Sequence, residues 1–371
     1  MLYKKMLYKK IRIAYIISSL SKQGPVQVLY DLVSNIDYSI YDVEIITLKE
    51  EGLSSLKNKF EELPIKLIFL KHKNKFNLMH FYFKIKKIIN NDKIQIIHSH
   101  CFRSLLLAYF LRKKTSTFHT IHIYPGLQSI AINGYAKGVL LSFLTKFAIK
   151  RIFMAIACSQ SVALDLKKKD GILVRAIANG ISPRIEIKDQ KTLQKELNLE
   201  SNFKYFISVG RFSPEKNFEL LVKAFIEANI PNTKLILLGD GKTMDSVKEI
   251  SNDKILLMGF KQNVNDYLNA ADYYLSTSLT EGMPLSVLEA LAHGLPVALS
   301  DIPPHQEILN KGKNIGYLFP INNAQETAKA IKSLFDSDYQ ELQNNSKSIF
   351  SKYFTAERMS REYQNLYQLI S

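Results

Sequence analysis

The chain contains no tryptophan and only two cysteines, and no uninterrupted apolar stretch approaches the roughly 20 residues a spanning helix needs. The missing apolar run excludes a helical integral membrane protein. Two cysteines, Cys101 and Cys158, supply neither a disulfide framework nor a metal knuckle. Both sit in or beside apolar runs, as buried structural thiols do, so a reducing cytoplasm is the expected compartment. Glycine (15) and proline (11) are too sparse for a fibrous or low-complexity protein. A secretory leader is not expected either: Ile11–Ile17 is too short and too soon followed by polar residues.

What is present is 371 residues, 46% apolar and 23% charged, enough for two domains with cores of their own. The net charge of +16 is unevenly spread. Residues 1–185 hold 30 Lys/Arg against 11 Asp/Glu, whereas residues 186–371 hold 20 against 23. Basic character therefore belongs to one half, which suits an anionic lipid surface, a nucleic acid or a phosphorylated substrate, solubility being the plain alternative. A nucleic-acid reading has no recognisable motif and no basic–aromatic repeat behind it.

Short β-rich runs alternate with amphipathic stretches along the whole chain. Strands are expected over Ile11–Ile17, 43–48, 65–70, 94–98, Ser116–Ile121 and 152–157, then over 205–209, 234–238, 255–258, Tyr273–Ser276 and 297–299. Helices are expected over 25–33, 78–89 and Phe218–Ala228. Such alternation implies parallel sheets with crossover helices. The expected division is a doubled basic extension (1–10), a first doubly wound domain (11–185), a linker (186–202) and a second doubly wound domain (203–354). Ligands of open α/β sheets bind outside the carboxyl ends of strands, so two facing domains would place the active site in the cleft between them.

The strongest motif is Glu281-Gly282-Met283-Pro284-Leu285-Ser286-Val287-Leu288-Glu289. Glu281 sits in a loop, Pro284 opens a helix that Gly294 ends, and Glu289 lies deeper in that helix. Backbone N–H groups from Gly282 to Leu285, Pro284 excepted, are free to meet an anion at the positive end of the helix dipole. Glu289 can accept both hydroxyls of a ribose. Taken alone the spacing fits an ordinary surface helix. After the strand ending at Val209 come Gly210 and a loop with Arg211 and Lys216, two cations able to clamp a diphosphate and neutralise a leaving group. Taken alone these too would be solvated surface.

In combination, Gly210–Asn217, Glu281–Glu289 and the segment Gly294–Pro303 resemble the family-four glycosyltransferases of GT-B fold. Gly24-Pro25, His98-Ser99-His100, Thr120–Pro125, Ala157-Cys158-Ser159 and Asn179-Gly180-Ile181 agree more loosely. The resemblance implies an α/β fold of two facing doubly wound Rossmann-like domains, an interdomain cleft, and a C-terminal helix (355–371) crossing back to the first domain. It implies that Arg211 and Lys216 bind the donor diphosphate, Glu281 the transferred sugar and Glu289 the ribose. Gly24 would let the first loop approach the donor, although Gln23-Gly24-Pro25 carries one glycine where many relatives have two. His122 matches the histidine that reaches the donor sugar. His119 is its competitor, with His122 preferred for the Tyr124-Pro125 that comes after it, and His98 and His100 are either site-lining or structural.

The same resemblance implies transfer with retention of configuration and no required metal or cofactor, and no Asp-x-Asp pair of the cation-holding sort is recognised. The donor would be a UDP-sugar, GDP-sugars being the other candidate, and the acceptor a lipid-linked saccharide. The basic first domain would rest on the anionic inner face of the plasma membrane, through its Lys/Arg clusters and the amphipathic 136–151 stretch, unless that stretch packs on its own sheet. Rival readings are a same-fold epimerase or phosphorylase and a non-catalytic nucleotide-sugar binder.

Overall fold

The computed structural model describes residues 10–71, 77–126, 134–182 and 189–370. Most of the doubled basic extension, and His72, Lys73 and Lys75 of one Lys cluster, lie outside these residues. The chain forms two compact units, one running to Asn179 and resuming at Ala356, the other spanning Gly180–Thr355.

In the first unit, β1 (Ile11–Ile17), β2 (Tyr41–Thr47), β3 (Lys66–Phe69), β4 (Ile96–His100), β5 (Ser116–Ile121), β6 (Met154–Ala157) and β7 (Arg175–Ala176) form one parallel sheet. Their order is β3-β2-β1-β4-β5-β6-β7. The inner strands are nearly continuous apolar runs because helices cover both faces. Ala14, Ile16, Ile46 and Ile97 pack beneath Phe81, Ile85 and Leu107 of the helices Leu78–Asp92 and Phe102–Leu111. Each such isoleucine, leucine or phenylalanine withdrawn from water contributes about 1.5–3 kcal/mol. Strand order reverses between β1 and β4, which makes their carboxyl ends the ligand edge.

The helix Ala356–Tyr367 belongs to this first unit, where it packs on the helix Gly24–Ser34. Met359, Tyr363, Leu366 and Tyr367 are buried, and the Ser360 hydroxyl donates to the Leu32 carbonyl at 2.9 Å. Ile370, at the same helical spacing, falls in a 3-10 turn and is only half-buried.

The second unit repeats the plan with β8 (Lys204–Val209), β9 (Thr233–Leu238), β10 (Ile255–Gly259), β11 (Tyr273–Ser276), β12 (Val297–Ser300) and β13 (Gly316–Phe319). The order is β10-β9-β8-β11-β12-β13, again parallel throughout. Its core is aromatic: Phe206 stacks on Tyr273 at 4.6 Å and meets Phe225 edge-on. Both halves are thus doubly wound α/β folds of the Rossmann kind.

Two expectations need correction. Residues 186–202 are not a plain linker, because Gln190–Glu196 is a helix capped by Asp189, whose carboxylate accepts from the Thr192 N–H at 3.2 Å. Gln194 donates to the Ala270 carbonyl at 3.0 Å, so this helix is part of the second unit, which begins at Gly180. Strands β7 and β13 were not anticipated. Each is a short terminal strand: β7 has two residues, one of them exposed, and β13 has four, of which only Phe319 is fully buried.

Candidate active site

In the second unit the loop after β8 is shaped by the loop after β9. Gly210 N–H donates to Leu238 O at 3.0 Å and Phe212 N–H to Asp240 O at 3.0 Å, which lays the two loops directly against each other. Gly239 makes this contact with φ +136°, and a Cβ there would stand 1.8 Å from the Gly210 carbonyl oxygen, so only glycine fits. Buried Phe212 anchors the loop's near end. At the far end the Thr277 hydroxyl donates to the carbonyls of Lys216 (3.0 Å) and Asn217 (2.9 Å), and Leu279 N–H donates to Glu215 O at 2.8 Å.

This lacing brings Lys216 onto Glu281, their Nζ and Oε1 forming an ion pair at 2.5 Å. Burial alone would lift the Glu281 carboxyl. The Lys216 charge and hydrogen bond, then His305 and a Ser278 hydrogen bond, outweigh it and hold the group below its ordinary value. Gly282, Met283 and Pro284 are buried, and the helix Leu285–Ala292 opens immediately after them. Within its first turn the Val287 N–H already donates to the Pro284 carbonyl at 3.1 Å, which leaves the Leu285 and Ser286 N–H groups without an intrahelical acceptor as the anion-binding end. Glu289 lies one turn further in. The Tyr274 hydroxyl donates to Ser286 Oγ at 2.9 Å, and its phenol is raised first by burial, then by the charges of Glu281 and Glu289. The charges of both carboxylates therefore act on one buried phenol. Arg211 is exposed, and its guanidinium has no hydrogen-bond or ionic partner among the described residues.

His305 went unnoticed in the sequence. It lies just past β12 and is wholly buried, its Nδ1 2.8 Å from the Ser300 carbonyl, while its Nε2 has no partner among the described residues. Burial pushes it down to about 4, against the pull of the nearby Glu281 carboxylate and the Ser300 carbonyl. Its one signal was a histidine just after Pro303-Pro304, at the edge of the Gly294–Pro303 motif.

In the first unit Gly24 is exposed and begins its helix at the end of the loop after β1, with Pro25 in the first turn. Its backbone is not left-handed, so its contribution is a missing side chain, not an unusual φ. Strand alternation separates the histidines. His98 and His100 share a face of β4, while His119 lies on the opposite face with Ser99, whose hydroxyl is 2.9 Å from His119 Nδ1. His122 lies just past β5, with Nε2 3.0 Å from His100 Nδ1, so His100 and His122 form the pair at the ligand edge and His119 does not join them. Burial lowers all four, His119 to about 3 and His122 to about 4.

Among the described residues no group of three or more His, Cys, Asp or Glu is arranged to hold a metal ion. The sequence contains an Asp-x-Asp, Asp336-Ser337-Asp338, at a helix junction. It joins two helices, and Asp338 caps the second by accepting from the Glu341 N–H at 3.1 Å.

Two family models divide the chain between them: "Glycosyltransferase Family 4" matches residues 23–184 and "Glycosyl transferases group 1" matches residues 189–349. The chain is a family-four glycosyltransferase. It is 27% identical to the UDP-Gal:alpha-D-GlcNAc-diphosphoundecaprenol alpha-1,3-galactosyltransferase of Escherichia coli, over 67% of this chain and 68% of that one. It is 24% identical to the N-acetyl-alpha-D-glucosaminyl L-malate synthase of Bacillus anthracis, over 76% and 77%. Anabaena HepE, solved with UDP and glucose, superposes with TM-score 0.78 at 19% identity over 96% of this chain and 99% of its own. A glycosyltransferase from Rickettsia africae gives 0.78 at 18% identity over 98% and 99%. At such identities the likeness to solved structures is one of fold, and the glycosyltransferase architecture is GT-B in both units. Within this glycosyltransferase, Lys216, Glu281 and Glu289 lie at the carboxyl edge of the second sheet, and Gly24, His100 and His122 at that of the first.

Proposed function

We propose that this glycosyltransferase moves a hexosyl-type sugar from a nucleotide diphosphate donor to a lipid-linked saccharide, with retention of configuration and without a metal. The observation carrying the proposal is the Lys216–Glu281 ion pair, tied to the anion-binding end of the 285–292 helix. Lys216 and the unpaired Arg211 would take the diphosphate, Glu281 the transferred sugar, and Glu289 the ribose. Gly210 and the 282–285 backbone would leave room for the phosphates, and Gly24 and His122 would approach the donor from the first unit. As the anomeric carbon–phosphate oxygen bond breaks, the acceptor hydroxyl attacks on the same face. Its proton passes to the departing phosphate oxygen, whose charge the two cations hold.

A UDP donor is favoured by the UDP-galactose named for the Escherichia coli relative, and a lipid-linked acceptor by the diphosphoundecaprenol in the same name. With that acceptor class the reaction would belong to surface-polysaccharide or O-antigen assembly, at the cytoplasmic face of the membrane. Attachment there is supported by the helix Tyr135–Ile149, which leaves Tyr135, Val139, Leu140 and Phe143 exposed at 77%, 44%, 56% and 63%. Exposed Lys137, Lys150 and Arg151 border this face and would complement anionic headgroups. No helix of the described residues is long and apolar enough to cross a membrane.

The test is ligand-induced thermal shift with a panel of nucleotide sugars on the wild type, Glu289→Ala and Arg211→Ala. One donor should stabilise the wild type and do so less in both variants. If no nucleotide sugar raises the midpoint of a folded sample, the proposal fails. An epimerase would instead convert the donor with no acceptor present.

A further inference from the structure

The histidines of the first unit set a protonation problem that has one inexpensive solution. His98 is engaged at both ring nitrogens, Nδ1 with the Tyr367 hydroxyl at 2.5 Å and Nε2 with Thr120 Oγ1 at 2.9 Å. His100 stacks on it, ring centroids 4.7 Å apart and planes 28° from parallel, which fixes the His100 ring. His100 Nδ1 lies 3.0 Å from His122 Nε2, and His100 Nε2 is buried with no partner among the described residues. The His122 backbone is held in turn by the Cys158 thiol, which donates to its carbonyl at 3.2 Å. His122 is half-buried, and its Nδ1 has no partner among the described residues.

One proton lies between the two rings. If His122 Nε2 carried it, neutral His100 would keep its own proton on Nε2, a buried N–H with nothing to bond, which is the rarest kind of orphan in folded proteins. If His100 Nδ1 carries it, the orphan is a bare lone pair, and His122 must hold its proton on Nδ1. We infer that His100 is a positioning residue: it donates through Nδ1 to His122 Nε2 and locks His122 in the tautomer that presents Nδ1–H to a sugar oxygen. Burial keeps both rings neutral, so neither solves the problem by taking a second proton. His122 is then a hydrogen-bond donor in the transfer and not its base. The inference rests on the proposed contact between His122 and the donor sugar.

The direct measurement is a long-range 15N–1H spectrum of histidine-labelled protein, which reads each ring nitrogen as protonated or bare. Wild type should show His122 Nδ1 protonated and Nε2 bare. His100→Asn, whose amide nitrogen replaces Nδ1, should keep that pattern, whereas His100→Leu should lose it. In transfer assays His100→Leu should lower kcat roughly 10–100-fold with the donor KM moving less than about threefold, and His100→Asn should recover most of the loss. A protonated Nε2 on His122 in the wild type overturns the inference whether or not the leucine variant folds. An unchanged His122 pattern in folded His100→Leu does the same. The assigned tautomer together with wild-type transfer by His122→Leu, which offers no donor at that position, would instead refute the His122–sugar contact and uphold positioning by His100.

Discussion

Removing the Lys216 ammonium should destabilise the second unit in a way that depends on pH. Deleting one member of a buried pair leaves the other charge uncompensated, at a cost of about 3–5 kcal/mol. The Lys216 and Glu281 side chains are 22% and 14% exposed, so solvent relieves part of this, and about 3 kcal/mol is the appropriate figure for Lys216→Ala at pH 7. For a unit spanning residues 180–355, that corresponds to a fall of roughly 6–12 °C in its midpoint. The sign with pH is set by Glu281. In the wild type its folded value lies below the unfolded one, so its stabilisation is present above the unfolded value and is lost as pH falls through the folded value. In the variant burial is opposed only by His305 and the Ser278 hydrogen bond, so the folded value rises and the penalty is greatest at neutral pH. The deficit should therefore shrink from pH 7 towards pH 4. Adding Glu281→Gln should restore about 2 kcal/mol at pH 7, because no charge is then stranded. Calorimetric scans of both variants and the wild type across this range decide the matter. A Lys216→Ala midpoint within about 2 °C of wild type at pH 7, or a deficit equally large at pH 4, would refute the reasoning.

Three further outcomes are expected. Gly239→Ala should cost roughly 2–4 kcal/mol by urea unfolding, because a Cβ meets the Gly210 carbonyl at a φ that side chains rarely adopt. Tyr367→Phe should cost about 1–3 kcal/mol in the same assay, since it leaves His98 Nδ1 buried without its hydroxyl partner. The double variant Leu140→Asp/Phe143→Asp should sediment less with vesicles rich in anionic phospholipid while its midpoint stays within about 2 °C of wild type, because both residues are exposed.

The sequence announced the fold through strands that are apolar on both faces, a pattern that holds wherever helices cover a sheet twice. It did not announce β7 or β13, because a terminal strand of two or four residues has neither length nor periodicity to recognise. Arg211, Lys216, Glu281 and Glu289 were legible as motif positions. The pairing of Lys216 with Glu281 was not, since 65 residues separate them and the contact depends on how Thr277 and Leu279 grip the intervening loop. Parity along β5 sets His119 and His122 on opposite faces, but which of them shares a face with His100 depends on the β4–β5 register, in which His119 stands opposite Ser99. His305 was missed for a different reason, because a wholly buried histidine has no distinguishing pattern in one dimension.

The helix Ala356–Tyr367 has a bearing on how the protein is made. Its tyrosines supply the hydroxyls that meet His98, Thr120 and Tyr15, all of which leave the ribosome more than two hundred residues earlier. The first unit thus emerges first but is completed last, after the whole of residues 180–355 has been translated. Vectorial folding, which ordinarily favours the N-terminal domain, here leaves it waiting. A chain truncated before residue 356 would hold every residue of the second unit but a first one whose buried histidine lacks its partner.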